Sequence, residues 1–398
     1  MNRAPLRLKK DQERRLLAGH CWVYSNEVDI EATPLKGLEP GQPVELFAQH
    51  GRWLGHGYAN PHSLICARLV SRRRARPLSA SLLVERVRTA LALRQRLYAR
   101  PFYRLIHGEG DALPGLVVDR YGDLLAVQIT TAGIERERGD VLAALEQVLR
   151  PTHIVLRNDS AVREQEGLEQ SVDWVLGEDP GEIELIEGEM GFRVAPGSGQ
   201  KTGWFFDQAE NRLALRRFGP ARRALDVCCY LGGWGLQAAA GGARSVTCVD
   251  TSAAALEQVG ANAARNGLGD RVVGHQGDAF EVLRGLRDDG ERFDLVVLDP
   301  PAFIKRRKDE REGTRAYERL NRLGLELLEP EGLLVTSSCS FHMGRDAFLH
   351  AVQAAARRTA RDLQLLQAGA QGPDHPVHPA IAETAYLKTF FLRALPEG

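Results

Sequence analysis

From about residue 190 onward, short apolar runs alternate with longer mixed stretches. ARRALDVCCY, SVTCVD, RVVGHQGD, FDLVVLDPP and GLLVTSSCS are β-rich, and each is separated from the next by enough chain for a crossover helix. That alternation predicts an α/β fold, a parallel sheet with helices on both faces, whose ligands sit beyond the carboxyl ends of the strands. Upstream the texture differs. Residues 1 to about 72 hold short β-like runs, CWVYSNEV, GQPVELFA, RWLGHGYAN and SLICARLV, whose length and spacing predict a small barrel. PLSASLLVERVRTALALRQRLY at 78–99 has apolar residues at helical spacing. YRLIHGEGDALPGLVVDRYGDLLAVQIT then reads as a strand, a Gly/Pro-marked turn and a hairpin turning at RYGD. A helix near 134–149 and a strand HIVLR at 153–157 complete a small α+β unit, and the acidic stretch 176–189 predicts an irregular linker. The expected domains are therefore 1–75, 76–185 and 190–398.

A chain of 398 residues is long for one hydrophobic core, in keeping with several domains. With 43% hydrophobic and 26% charged residues, the composition is that of a folded protein. No apolar run approaches the ~20 residues needed to cross a bilayer, and MNRAPLRLKKDQERRLL lacks the apolar segment of a signal peptide, so a cytoplasmic protein without membrane contact is expected. The six cysteines show neither a paired framework nor a C-x-x-C spacing, which predicts reduced thiols and no metal site. Formal net charge is zero, arguing against a protein that coats nucleic acid by bulk electrostatics. Three basic runs, SRRRAR at 71–76, RRFGPARR at 216–223 and KRRK at 305–308, become phosphate-holding candidates only where they flank a site.

The strand ends carry the candidate chemistry. LDVCCYLGGWG at 225–235 follows a strand and opens a helix, but it is not a G-x-G-x-x-G dinucleotide loop, since Cys228 and Tyr230 stand where glycines are common. Asp250 in VDTS can accept both ribose hydroxyls of an adenosyl group, and Asp278 in QGDAF can accept from an adenine amino group. Each could equally cap the helix that follows; two acids at successive strand ends favour an adenosyl ligand. Its pocket would draw on Asp226, Cys228, Tyr230 and Gly232, on Asp250 and Thr251, on Asp278 and Ala279, and on Asp299. In LDPPAF at 298–303, two prolines after Asp299 make a rigid ledge, with Pro300, Pro301, Phe303 and Lys305 as candidates to hold a flipped base. Cys339, in SSCS at the end of the next strand, should face the same cleft. Methylation at carbon 5 of a pyrimidine needs such a nucleophile: a thiolate adds at carbon 6, which makes carbon 5 reactive toward a methyl donor, and loss of the carbon 5 proton then expels it.

Long ordered blocks of this chain resemble the family of bacterial large-subunit ribosomal RNA cytosine-C5 methyltransferases that carry an N-terminal PUA domain. They are HCWVYSNEV, YRLIHGEGDALPGLVVDRYGD, GQKTGWFFDQAENR, CCYLGGW, VDTS, LDPPAFIKRRKD, SSCS, DHPV and YLKTFFLR. The resemblance implies a PUA-type barrel, a small central α+β domain and a Rossmann-like catalytic domain that uses S-adenosylmethionine. It implies large-subunit ribosomal RNA as the partner and leaves a homodimer open. It makes Cys339 the nucleophile and Asp299 the residue that orients or protonates cytosine, and it brings Phe206, Asp207 and Gln208 to the cofactor. Pro301 stands where two-cysteine RNA cytosine methyltransferases have a second thiol, so release needs another base, for which His342 is a candidate. Two other readings stay open on the sequence: methylation at another base position, such as a guanine nitrogen, and an RNA-binding assembly factor without turnover.

Overall fold

The computed structural model describes residues 3–396. The chain forms two compact units, each discontinuous in sequence. One runs up to Ile183 and includes Ala195–Phe206 and Pro373–Thr384; the other comprises Glu184–Val194, Asp207–Gly372 and the chain from Ala385.

In the first unit, five strands form one sheet in the order Ala4–Arg7, Gln42–Phe47, Trp53–Ala59, Ala67–Ser71 and Trp22–Val23. Four of them lie in the expected runs. The fifth, Ala4–Arg7, pairs parallel with Gln42–Phe47 and buries Leu6, a contribution hidden in a segment that reads as charged. A second five-stranded sheet is built from Phe102–His107, Leu116–Tyr121, Leu124–Ile129, His153–Arg157 and Val172–Leu176, in reverse of that order. The helices Ala80–Leu97 and Arg138–Leu149 bury Leu83, Val87, Val141 and Leu145 in the same core as this sheet. Pro373–Thr384 is bound into this unit by charge. Arg94, fully buried, donates to both carboxylate oxygens of Asp111 at 2.5 and 2.7 Å and to the Asp374 carbonyl at 2.7 Å, while the Asp374 carboxylate accepts from the Arg104 amide at 2.9 Å.

The second unit is organised on a seven-stranded sheet: β1 (Arg223–Val227), β2 (Ser245–Asp250), β3 (Val272–Gln276), β4 (Phe293–Leu298), β5 (Leu328–Ser338), β6 (Leu363–Gly369) and β7 (Lys388–Ala394). Their spatial order is β3-β2-β1-β4-β5-β7-β6. Strands β1 to β5 are parallel, as the alternating texture predicts; β7 runs antiparallel between β5 and β6. The purely parallel expectation is corrected here, because β7 is buried on both faces (Phe390, Phe391) and enters the sheet by a return connection rather than a crossover helix. The expected linker at 176–189 is corrected too. Ile183–Glu187 is a strand, paired with Met190–Val194, that buries Leu185, and its last acid is not solvated: Glu187 accepts from Arg212 Nε at 2.7 Å, with both side chains buried.

A buried ion pair of this kind is costly to break by halves, since the remaining charge is left in a poor solvent. Arg212→Ala is expected to cost roughly 3–5 kcal/mol in urea unfolding, and Arg265→Ala, whose partner Glu184 lies on the same hairpin but in water, no more than about 1 kcal/mol.

Candidate functional site

The loop after β1 carries backbone strain without the glycines that usually relieve it. Cys228 and Tyr230 both lie in the left-handed region, at φ 62° and 51°, and Gly232 follows at φ 82°. A Cβ at Gly232 would stand 2.6 Å from Leu236, so glycine is required there on two grounds. Asp250, at the end of β2, holds the loop: one carboxylate oxygen accepts from the Tyr230 amide and the other from the Ser252 amide, each at 3.0 Å. Asp226 lies beneath. Its Oδ2 accepts from the Gly235 amide at 2.7 Å, and its buried Oδ1 has no hydrogen-bond partner among the described residues. Burial, reinforced by the Asp299 and Asp250 charges, pushes the Asp226 carboxyl up to about 7. The loop thiols are held neutral: burial and the carboxylates Asp299 and Asp250 push Cys228 up to about 12, and Cys229, hydrogen-bonded to Cys248 and buried, is raised further.

Asp299, one residue beyond β4, has both carboxylate oxygens engaged: Gln208 Nε2 donates to Oδ1 at 3.0 Å and Trp234 Nε1 to Oδ2 at 2.9 Å. Desolvation raises its carboxyl above the usual range, opposed by the Trp234 hydrogen bond and assisted by Asp207. Gln208 is itself fixed, since its Oε1 accepts from Asn211 Nδ2 at 2.8 Å and from Thr389 Oγ1 at 3.3 Å. Asp207 accepts from the Tyr386 hydroxyl at 2.7 Å. Phe206 belongs to the first unit, where its ring is buried against Tyr121 with centroids 5.2 Å apart.

Leu298 of β4 pairs with Thr336 of β5, so Asp299 and the turn carrying Cys339 leave neighbouring strand ends. One side chain laces these loops together: Ser340 Oγ accepts from the Ile304 amide at 3.1 Å and shares a hydrogen bond with the Tyr317 hydroxyl at 2.9 Å. Tyr317 is fully buried in the helix Glu310–Glu326 and packs on Phe303 at 4.7 Å. Phe303 thus sits half-buried between Tyr317 and Phe280; Pro300 is buried, whereas Pro301 and Lys305 are exposed. Cys339 is half-buried.

Other candidates have quieter surroundings. Asp278 caps the helix Ala279–Asp288, accepting from the Phe280 and Glu281 amides at 2.9 and 3.2 Å, and Ala279 is the first residue of that helix. Thr251 is exposed after β2, and the His342 ring packs edge-on to Phe341 at 5.1 Å. The basic runs separate clearly. Lys305, Arg306, Arg307 and Lys308 are all exposed, directly after the Asp-Pro-Pro loop. Arg222 and Arg223 lie at the opposite, amino-terminal end of β1 and are paired with Asp294 and Glu291. In the first run, Arg72 donates to the Leu16 and His20 carbonyls, a structural role. The sequence offered no local signal for Trp234, Tyr317, Ser340 or Lys388, whose places in the site depend on partners far away along the chain.

Residues 103–393 match the family described as S-adenosylmethionine-dependent methyltransferase, and residues 6–72 match the PUA-like domain. Proteins named ribosomal RNA large subunit methyltransferase I are similar over nearly the full length: that of Tolumonas auensis is 37% identical over 98% of this chain and 98% of its own, and that of Klebsiella pneumoniae strain 342 is 36% identical with the same coverage. A solved structure assigned as a methyltransferase and complexed with SAH shares the fold, with TM-score 0.84 at 22% identity, covering 99% of this chain and all of that one. Another, assigned as a SAM-dependent methyltransferase from Streptococcus mutans, has TM-score 0.83 at 21% identity over 98% of this chain and all of that one.

Because the Asp226 carboxyl is raised in the folded protein, its ionisation costs stability as pH climbs from about 4 to about 7 and adds no further cost above that. Asp226→Asn keeps an acceptor for Gly235 and removes the charge. It is expected to stabilise the ligand-free protein by roughly 2–4 kcal/mol at pH 8 and by almost nothing at pH 4, as read by chemical unfolding at the two pH values.

Proposed function

Because this chain belongs to the S-adenosylmethionine-dependent methyltransferase family, we propose that it methylates carbon 5 of a cytosine in large-subunit ribosomal RNA through a covalent bond from Cys339. One observation carries the reading. The thiol sits on a turn that Ser340 ties to the Asp-Pro-Pro-Ala-Phe loop of the neighbouring strand, so a base on that ledge meets the nucleophile. Amino-directed methylation has no use for a thiol at that place. The names of the full-length relatives support ribosomal RNA as the substrate.

The residues present suit the cofactor. S-adenosylmethionine carries a sulfonium and an ammonium, and Asp226, Asp250 and Asp299 set three carboxylates around one strained loop, with a buried oxygen of Asp226 left to be satisfied. Asp250 would hold the ribose, and Asp207, Gln208, Thr251, Asp278 and Ala279 would line the approach. When bound, the cofactor supplies an electrophilic methyl group. The protein does the rest. Cys339 adds to carbon 6 and makes carbon 5 nucleophilic. Asp299, fixed by Gln208 and Trp234 and with its carboxyl raised by desolvation, orients the base or passes a proton to its ring nitrogen. Phe303 offers a stacking face, and Pro300 and Pro301 keep the ledge rigid. Lys305 and its three basic neighbours meet backbone phosphates, which positions the RNA without reading its sequence.

Fluorine at carbon 5 cannot leave as a proton does. RNA containing 5-fluorocytidine is therefore expected to form a denaturation-resistant adduct with the protein in the presence of S-adenosylmethionine, and Cys339→Ala to form none. Absence of an adduct on RNA that the protein methylates would return the thiol to a packing role. Replacing Lys305, Arg306, Arg307 and Lys308 by glutamine is expected to weaken RNA binding and flatten its dependence on salt, by about 0.7 in log–log slope for each phosphate no longer neutralised; an unchanged slope would move the RNA elsewhere.

A further inference from the structure

Lys388, the first residue of β7, is buried, an unusual place for an ammonium. In the antiparallel register it stands directly across from Ser338, one residue before Cys339. Its Nζ donates to the Ser340 carbonyl at 2.7 Å and to the Tyr386 carbonyl at 2.8 Å, so the side chain spans the turn that carries the thiol. Two neutral carbonyls satisfy hydrogen bonds but do not balance a charge, and a desolvated ammonium calls for an anion. We propose that Lys388 is the positioning residue that holds Cys339 as a thiolate, pairing its ammonium with the sulfur and fixing the turn from beneath. This rests on the reading of Cys339 as nucleophile.

The surroundings leave the pairing to the thiol. Burial pushes Lys388 down to about 8, and the negative charge of Cys339 acts against that fall. Below about pH 8 the lysine is an ammonium. From the helix Glu310–Glu326, Tyr317 faces the same turn; burial raises its phenol and the Cys339 charge raises it further, so it stays neutral and is no rival anion for the ammonium. Tyr386, next to Lys388, sends its hydroxyl to Asp207. The proton balance is simple. The thiol gives its proton to solvent, leaving a sulfur anion beside an ammonium with no net charge. Addition to carbon 6 turns that sulfur into a neutral thioether, and elimination, in which the carbon 5 proton passes to a base or to solvent, returns the carbon–sulfur electron pair to sulfur, where Lys388 again faces it.

The test is the pH dependence of iodoacetamide alkylation at Cys339, followed by peptide mass spectrometry on the full chain, in wild type, Lys388→Met and Lys388→Arg. The wild-type midpoint is expected well below the ordinary thiol value of about 8.5. Lys388→Met should raise it by a unit or more, a tenfold slower reaction at pH 7, and Lys388→Arg should restore it. S-adenosylmethionine binding by calorimetry reports whether each variant is folded. A wild-type midpoint at or above the ordinary thiol value overturns the proposal without any variant, and so does an unshifted midpoint in folded Lys388→Met. Adduct formation on 5-fluorocytidine RNA separates the two readings. An adduct with an unperturbed thiol removes Lys388 and keeps the chemistry; a lysine-dependent thiolate with no adduct keeps the pair and removes cytosine.

Discussion

The hydroxyl of Ser340 is shared by two loops, and the geometry of the site depends on that sharing. Strand ends in a parallel sheet leave loops that are free to diverge. Here the loop after β4 would carry Asp299 and Phe303 in one direction and the turn after β5 would carry Cys339 in another. Ser340 binds the Ile304 amide and the Tyr317 hydroxyl at once, and Tyr317 is immobilised by full burial between Phe303 and Phe348. The thiol and the Asp-Pro-Pro loop are therefore referenced to one rigid phenol on the helix behind them. Near-attack geometry is sensitive to displacements of an ångström, so a shared anchor of this kind matters more than the few kcal/mol of its own hydrogen bonds.

Charge follows from the same arrangement. Asp226, Asp250 and Asp299 cluster where β1, β2 and β4 end, and their mutual repulsion, on top of burial, is what raises Asp226 and Cys228. A protein that only needed to fold would gain by neutralising them. Retaining them stores electrostatic tension that a cationic ligand relieves, and the left-handed Cys228 and Tyr230 add backbone strain at the same place. Burial and the same field hold the loop thiol Cys228 protonated, whereas the turn that carries Cys339 receives a hydrogen bond from the Lys388 ammonium.

What the sequence disclosed tracks how local each signal is. The five parallel strands were legible because each is a compact apolar run with punctuation at its end, and the same punctuation places Asp299 and Cys339 just beyond neighbouring strand ends. The hairpin formed by Ile183–Glu187 and Met190–Val194 was not, because acids interrupt its apolar positions and follow a run of turn residues, and only the distant Arg212 makes Glu187 a buried residue. Cys228 and Tyr230 adopt glycine-like conformations that their position in the loop suggests and their residue types do not. Strand β6 hides its role because Leu365 and Leu366 remain exposed at a sheet edge, so the apolar count there does not mark a core.

The antiparallel β7 ties these points together. A parallel strand inserted beside β5 would begin at the opposite end of the sheet from Cys339 and could place only its last residues near the thiol. An antiparallel strand enters at the edge where Cys339 lies, so its first residues, Lys388 and Thr389, pair with Ser338 and Ser337. Thr389 donates to Gln208, which donates to Asp299, and Lys388 donates to the turn of Cys339. Reversal of one strand thus lets the C-terminal segment brace Asp299 and the turn of Cys339 together, with a lysine on the thiol side and a threonine on the carboxyl side. A crossover helix, which delivers strands in the parallel sense, could not have done so.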